Sequence, residues 1–247
     1  MDEAEENNLD AKAKHARWKR WCTCSLCEQK YHSVVACALG WACWKTYVGR
    51  PETDIPRVLA MTELGGGLHE VKLYEDALLV DEAKLSLLKR LGRSKREMLS
   101  VRCNLARTYQ LLGRRDEALV SLRAVYDDAV AAFGPDNELS LNSALNLSVD
   151  LIKAGKFREA QSILSKVIPI ARQKLGAEND VTLQMRSVRA QTLFQPDDAT
   201  RNEVNEAITT LEEVVPVVRR VFGKTHPKVR LFQGTLDAAK AKLEFKY

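Results

Sequence analysis

Residues 104–118 read NLARTYQLLGRRDEA, and the chain writes the pattern again 42 residues later at 146–160 as NLSVDLIKAGKFREA, with Asn, Leu, Gly, Glu and Ala in register. Forty-one residues before the first copy, ELGGGLHEVKLYEDA at 63–77 keeps the leucine and the final alanine, with Glu75 and Asp76 just ahead of it. A period of this length, built from helix-forming residues, marks a helical repeat array. Within one copy, Leu105, Ala106, Tyr109 and Leu112 recur at helical spacing and form one apolar face. Gly113 then stops the helix, because glycine takes a positive φ at little cost. Ala118, Leu119 and Leu122 open a second apolar face, and the small Ala118 lets two helix axes come close. Such a hairpin cannot bury both faces alone, so it must stack on a neighbour.

A second ladder sets the frame. Gly49, Gly92, Gly134, Gly176 and Gly223 fall at intervals of 43, 42, 42 and 47, where each hairpin should end. The last interval is longer because five extra residues lie in the turn of repeat four, within QPDDATRNEVNE. The hairpins are therefore expected at about 55–92, 96–134, 137–176 and 180–223. Pro169 and Pro216 stand 47 apart, like the glycine stops after them, and each removes one helix hydrogen bond and is expected to bend its helix.

Two ladders of small residues, Gly65, Ala106, Ser148, Ala190 and Ala77, Ala118, Ala160, Ala207, match the two small positions of tetratricopeptide repeats. The chain resembles that family over roughly residues 50–245. Its 42-residue period and the G-x-x-HP join at Gly223, His226 and Pro227 are similar to the kinesin-light-chain type. The resemblance implies an all-α fold, a right-handed solenoid of antiparallel helix hairpins whose first helices line a concave wall that binds an extended partner segment. Carried onto this sequence, the groove-facing candidates are Asn104 and Arg107 in repeat two, Asn142 and Asn146 in repeat three, and Gln184 and Gln191 in repeat four. Asn104 and Asn146 match the family's asparagine, whose amide bonds both the N–H and the C=O of a bound backbone. Arg107 suits an acidic side chain or a terminal carboxylate. The asparagine row breaks at Glu63 and Val188. No heptad coiled coil of the kind that joins kinesin light chains to a motor is read in the sequence, so motor association is not expected.

Composition agrees with a helical core, with 45% apolar and 6% aromatic residues in 247. No stretch reaches the roughly 20 apolar residues of a membrane span. The start, MDEAEENNLD, is acidic and has no apolar core, so a secretory signal is not expected and a cytoplasmic protein is. A net charge of +5, spread along the chain, gives no nucleic-acid signature. The four histidines are scattered, and no catalytic constellation or cofactor motif is read, so a non-catalytic protein without cofactors is expected.

Residues 1–20 are charged throughout and are expected to be a disordered lead. Residues 21–49 are rich in Cys and Trp. Cys24, Cys27, His32 and Cys37 stand at C-x2-C-x4-H-x4-C, the zinc-knuckle spacing, which raises a zinc-dependent nucleic-acid-binding module at residues 22–43 as the alternative function. Against it, the glycines that fold such a loop are replaced by Glu28 and Tyr31, and EQKYHSVVACALGWACWKTYVG also reads as one continuous helix. On a helix, His32 and Cys37 point away from each other. Residues 28–48 then look like the second helix of a missing first repeat, ended by Gly49, with Trp41, Trp44 and Tyr47 covering the first full hairpin. At the other end, 224–247 reads as a C-terminal capping helix.

Overall fold

Several helices in this chain begin where a side chain is placed to receive the orphan amides of a first turn. Ser94 and Glu97 form a capping box, as do Thr200 and Glu203. Asn137 and Asn179, 42 residues apart in the sequence, accept from the N–H of Leu139 and Val181 at 3.0 and 2.9 Å. A computed structural model, which describes residues 10–246, shows the result. Among the described residues there are eleven helices: α1 (Ala11–Lys19), α2 (Ser33–Tyr47), α3 (Ile55–Glu70), α4 (Tyr74–Arg90), α5 (Lys95–Leu111), α6 (Arg115–Phe133), α7 (Glu138–Lys153), α8 (Phe157–Lys174), α9 (Asp180–Phe194), α10 (Arg201–Phe222) and α11 (Pro227–Lys246). The chain is all-α, and consecutive helices pair as antiparallel hairpins of the solenoid kind. Pro169 lies inside α8 and Pro216 inside α10.

Glycines at +61° to +98° end the hairpins at Gly92, Gly134, Gly176 and Gly223. Gly49 does not join them: α2 ends at Tyr47, Val48 caps it in ordinary helical geometry, and Gly49 has no positive φ. Inside the hairpins, Gly113 and Gly155 turn the chain, while the first hairpin uses Lys72 at φ 63° for the same purpose. A side chain in that conformation is strained.

The chain divides into two compact units, 1–121 and 122–247, with α6 contributing residues to each. In the first unit, α2 packs on α3, α3 on α4 and α4 on α5. The α2/α3 contact runs backbone to backbone. A Cβ on Gly67 would lie 2.7 Å from the Ala36 carbonyl oxygen, and one on Gly40 would lie 2.8 Å from the Glu63 carbonyl oxygen. Leu64, Leu68 and Ala77 form one apolar cluster beneath this contact, and Val58, Leu78, Leu88, Val101 and Leu105 belong to another.

Residues 11–19, expected to be disordered, are helical. Trp18 and Trp21 of this region pack against buried Tyr47, Cys43 and Ala60, with the Trp18 and Tyr47 rings 5.7 Å apart. The acidic stretch 1–9 lies outside the described residues. The continuous helix expected from residue 28 begins instead at Ser33, whose φ of 53° breaks the helical path, as does 56° at Glu28. Trp41 also departs from expectation: it is 44% exposed, and Trp18 and Trp21 supply the aromatic cover that it was expected to give.

In the second unit each helix packs on the next from α7 to α11, and α9 also touches both α7 and α11. One continuous core runs from Leu183 through Val204, Leu211 and Val218 to Phe232 and Ala239. Ion pairs also link the elements of this unit, Arg123–Glu159 and Arg158–Glu203 between helices and Lys174–Asp136 from α8 to the turn before α7. Exposed pairs of this kind contribute about 0–1 kcal/mol each, so burial carries the fold.

Asp81 and Lys84 are the charged pair buried in the first unit. Burial pushes the Asp81 carboxyl up to about 6 and outweighs the attraction of Lys84, whose own value burial lowers. Lys84 also donates to the Thr62 hydroxyl at 2.5 Å, and burial raises nearby Glu63. A raised folded-state value means the folded chain binds more protons than the unfolded chain between about pH 4 and 6. Stability is therefore gained at this site as pH falls from 7 to 5. Denaturant titrations should show that gain in the wild type, roughly 1 kcal/mol, and should show it largely removed in Asp81→Asn.

Candidate functional site

The first helix of each hairpin has a buried side and a polar side. On α5, Leu105 and Ala106 are buried while Asn104 and Arg107 are exposed. Thr108, also buried, donates to the Asn104 carbonyl and lies 3.0 Å from His69 Nε2. Burial, and then the Arg107 charge, holds His69 below the usual imidazole range. One repeat earlier, Glu63 stands in the place of Asn104, and its carboxylate accepts from Trp18 Nε1 at 3.1 Å. Helix α1 thus already occupies that position.

In the second unit, Asn146 on α7 is exposed between buried Leu145 and Leu147. Asn142 is half-buried and donates 2.9 Å to the Glu138 carbonyl of its own helix. Gln184 and Gln191 on α9 are half-buried, and Val188, in the place of Asn146, is buried. Each unit therefore carries its own share of the six predicted side chains: Asn104 and Arg107 in the first, the other four in the second.

The four proposed zinc ligands are not brought together, and no group of three metal-capable side chains occurs among the described residues. Cys37 packs into the α2/α3 interface beside Leu64 and Leu68. His32 is exposed at the start of α2, with Nδ1 3.6 Å from Glu70. Cys24 and Cys27 sit on a tight turn of their own, closed by Cys24 N–H to the Gln29 carbonyl at 2.8 Å and Glu28 N–H to the Cys24 carbonyl at 3.0 Å. Backbone N–H groups of Cys27 and Leu26 lower the Cys24 thiol. Cys43 is fully buried, which pushes its thiol up to about 12.

One cavity in the second unit went unread in the sequence. It has a volume of about 340 Å³ and lies between α8, α9 and α10, lined by Ser165, Ile168, Pro169, Arg172, Arg186, Arg189 and Thr210. Its available signal was a break in a leucine ladder, at Arg189.

Residues 97–173 match the tetratricopeptide repeat family model. Among solved structures, a Podosopora anserina protein described as a kinesin light chain with nearly identical TPR-like repeats is 22% identical, with a TM-score of 0.62 over 80% of this chain and 90% of its own. BtubC (BKLC) from P. vanneervenii is 13% identical, with a TM-score of 0.61 over 85% and 84%. A Rap protein complexed with competence and sporulation factor is 15% identical, with a TM-score of 0.50 over 86% of this chain and 59% of its own. No curated protein matches by sequence. Residues 97–173 are thus tetratricopeptide repeats by sequence, and the fold of the chain is similar to that of kinesin-light-chain-like repeat structures. No helix among the described residues is long and apolar enough to cross a membrane.

Proposed function

We propose that this chain is a non-catalytic adaptor that works in the cytoplasm without a cofactor and holds an extended segment of a partner protein against the polar sides of its first helices. The observation that carries this reading is the exposure of Asn104, Arg107 and Asn146 on helices whose opposite sides are buried. An asparagine amide there offers a donor and an acceptor to a passing backbone, and a guanidinium offers up to five donors to a carboxylate. The likeness to repeat proteins, one of them solved with a factor bound, supports the same reading. A micromolar partner, about −8 kcal/mol, suits contacts of this number. Replacing Asn104, Arg107 and Asn146 together by alanine should abolish recovery of the partner from cell extract with an unchanged melting curve. Undiminished recovery by the triple variant would remove these faces from the proposal.

A further inference from the structure

The middle of each first helix carries a core leucine. Leu64, Leu105 and Leu147 follow one another at intervals of 41 and 42 residues, and they are 3, 6 and 2% exposed. The next position in the series is Arg189. A guanidinium in place of a core leucine removes apolar burial and imposes a desolvation cost, so folding alone gives no reason for it.

The surroundings of Arg189 supply a reason. Its side chain is 30% exposed and that of Arg186, one turn earlier, is 22% exposed, and both line the 340 Å³ cavity. Each is held from the rim by a more exposed glutamate: Arg189 Nη2 donates to Glu206 at 2.7 Å and Arg186 Nη2 to Glu213 at 2.6 Å. One bond each leaves most of their five donors for another acceptor. Arg172 of α8 lines the same cavity and has no ion pair among the described residues. Ser165 and Thr210 add hydroxyls. Pro169 has no N–H, so the Ser165 carbonyl loses its helical donor on this same wall.

We infer that this cavity binds a phosphate group, carried on a serine or threonine of a partner protein or free in solution. Three guanidinium groups around one space match an ion with three oxygens and nearly two charges better than a carboxylate with two oxygens and one. The Ser165 carbonyl accepts from the remaining proton of free phosphate or from the amide of a phosphorylated chain. This site is separate from the polar first-helix faces and does not depend on them.

The test compares wild type with Arg189→Leu, Arg172→Ala and Glu206→Gln, melted in sodium phosphate and in sodium chloride of equal ionic strength. Phosphate should raise the wild-type Tm by roughly 2–4 °C over chloride. Arg189→Leu restores the leucine of the series, so it should melt no lower than wild type in chloride and lose the phosphate response. Arg172→Ala, at an exposed position, should weaken the response at least tenfold in phosphate concentration, and Glu206→Gln should strengthen it. No difference between phosphate and chloride in the wild type overturns the inference, and so does a response that is undiminished in Arg172→Ala or retained in Arg189→Leu. Calorimetry with a phosphoserine peptide and its serine twin assigns the source. Phosphopeptide binding tenfold tighter than inorganic phosphate points to a partner protein, and equal affinity points to the free ion.

Discussion

Gly67→Ala should destabilise the first unit by about 3 kcal/mol, near the upper end of what overpacking costs, while Gly66→Ala should stabilise it by up to about 1 kcal/mol. The two glycines are neighbours in one helix, and their surroundings decide the sign. A methyl group on Gly67 would meet the Ala36 carbonyl oxygen at 2.7 Å and Cys37 Cα at 2.8 Å, and both belong to backbone that cannot rotate aside. Nothing lies within 4 Å of a methyl group on Gly66, so only the helix-propensity gain is felt. Gly40→Ala, on the opposite side of the contact, should repeat the loss, since its methyl group would meet the Glu63 carbonyl oxygen at 2.8 Å. Chemical denaturation of the three variants gives the comparison. Equal effects at positions 66 and 67 would mean that α2 and α3 are not in backbone contact.

Leu147→Arg should have the larger effect of all and leave the second unit unfolded at 37 °C. Leu147 is 2% exposed. The change forfeits about 2–3 kcal/mol of apolar burial and adds several more for a charge taken out of water without a partner. That sum approaches the whole stability of a domain of this size. Arg189 stands at the same place in its repeat and is accommodated because Glu206 meets it and a cavity lies beside it. Circular dichroism and calorimetry of Leu147→Arg test the contrast. A melting temperature within a few degrees of wild type would show that the leucine position tolerates arginine generally, and Arg189 would then need no special account.

The repeats were legible because their ladders of Leu, Ala and Gly come from packing that recurs every 42 residues. Other features had no such signature. Helix α1 is written in Lys, Arg and Ala with no apolar stripe, and it is held by Trp18 reaching Glu63, 45 residues away. The turn at 22–31 depends on positive φ at Glu28, a residue type that gives no warning of it. The join between repeats was read only at Gly223 and His226, yet Asn137 and Asn179 stand in the same relation to Gly134 and Gly176. His226 Nδ1 accepts from the N–H two residues on at 3.2 Å, as the two asparagine side chains do. The geometry repeats three times while the residue type changes. Of the predicted binding residues, Asn104, Arg107 and Asn146 are exposed while Asn142, Gln184 and Gln191 are half-buried, and the back-bonding of Asn142 to Glu138 had no mark in the sequence.

The five residues added to the turn of repeat four bring their own carbonyl groups, and a distant part of the chain satisfies them. Lys242 donates to the carbonyls of Gln195 and Pro196, and Lys246 to those of Asp197 and Ala199. Two ammonium groups one helical turn apart on α11 thus lash down a bend whose own backbone supplies the Ala199 N–H to the Pro196 carbonyl at 3.1 Å. The insertion and the tail are complementary parts of one fastening, and shortening either alone would leave acceptors without donors or donors without acceptors.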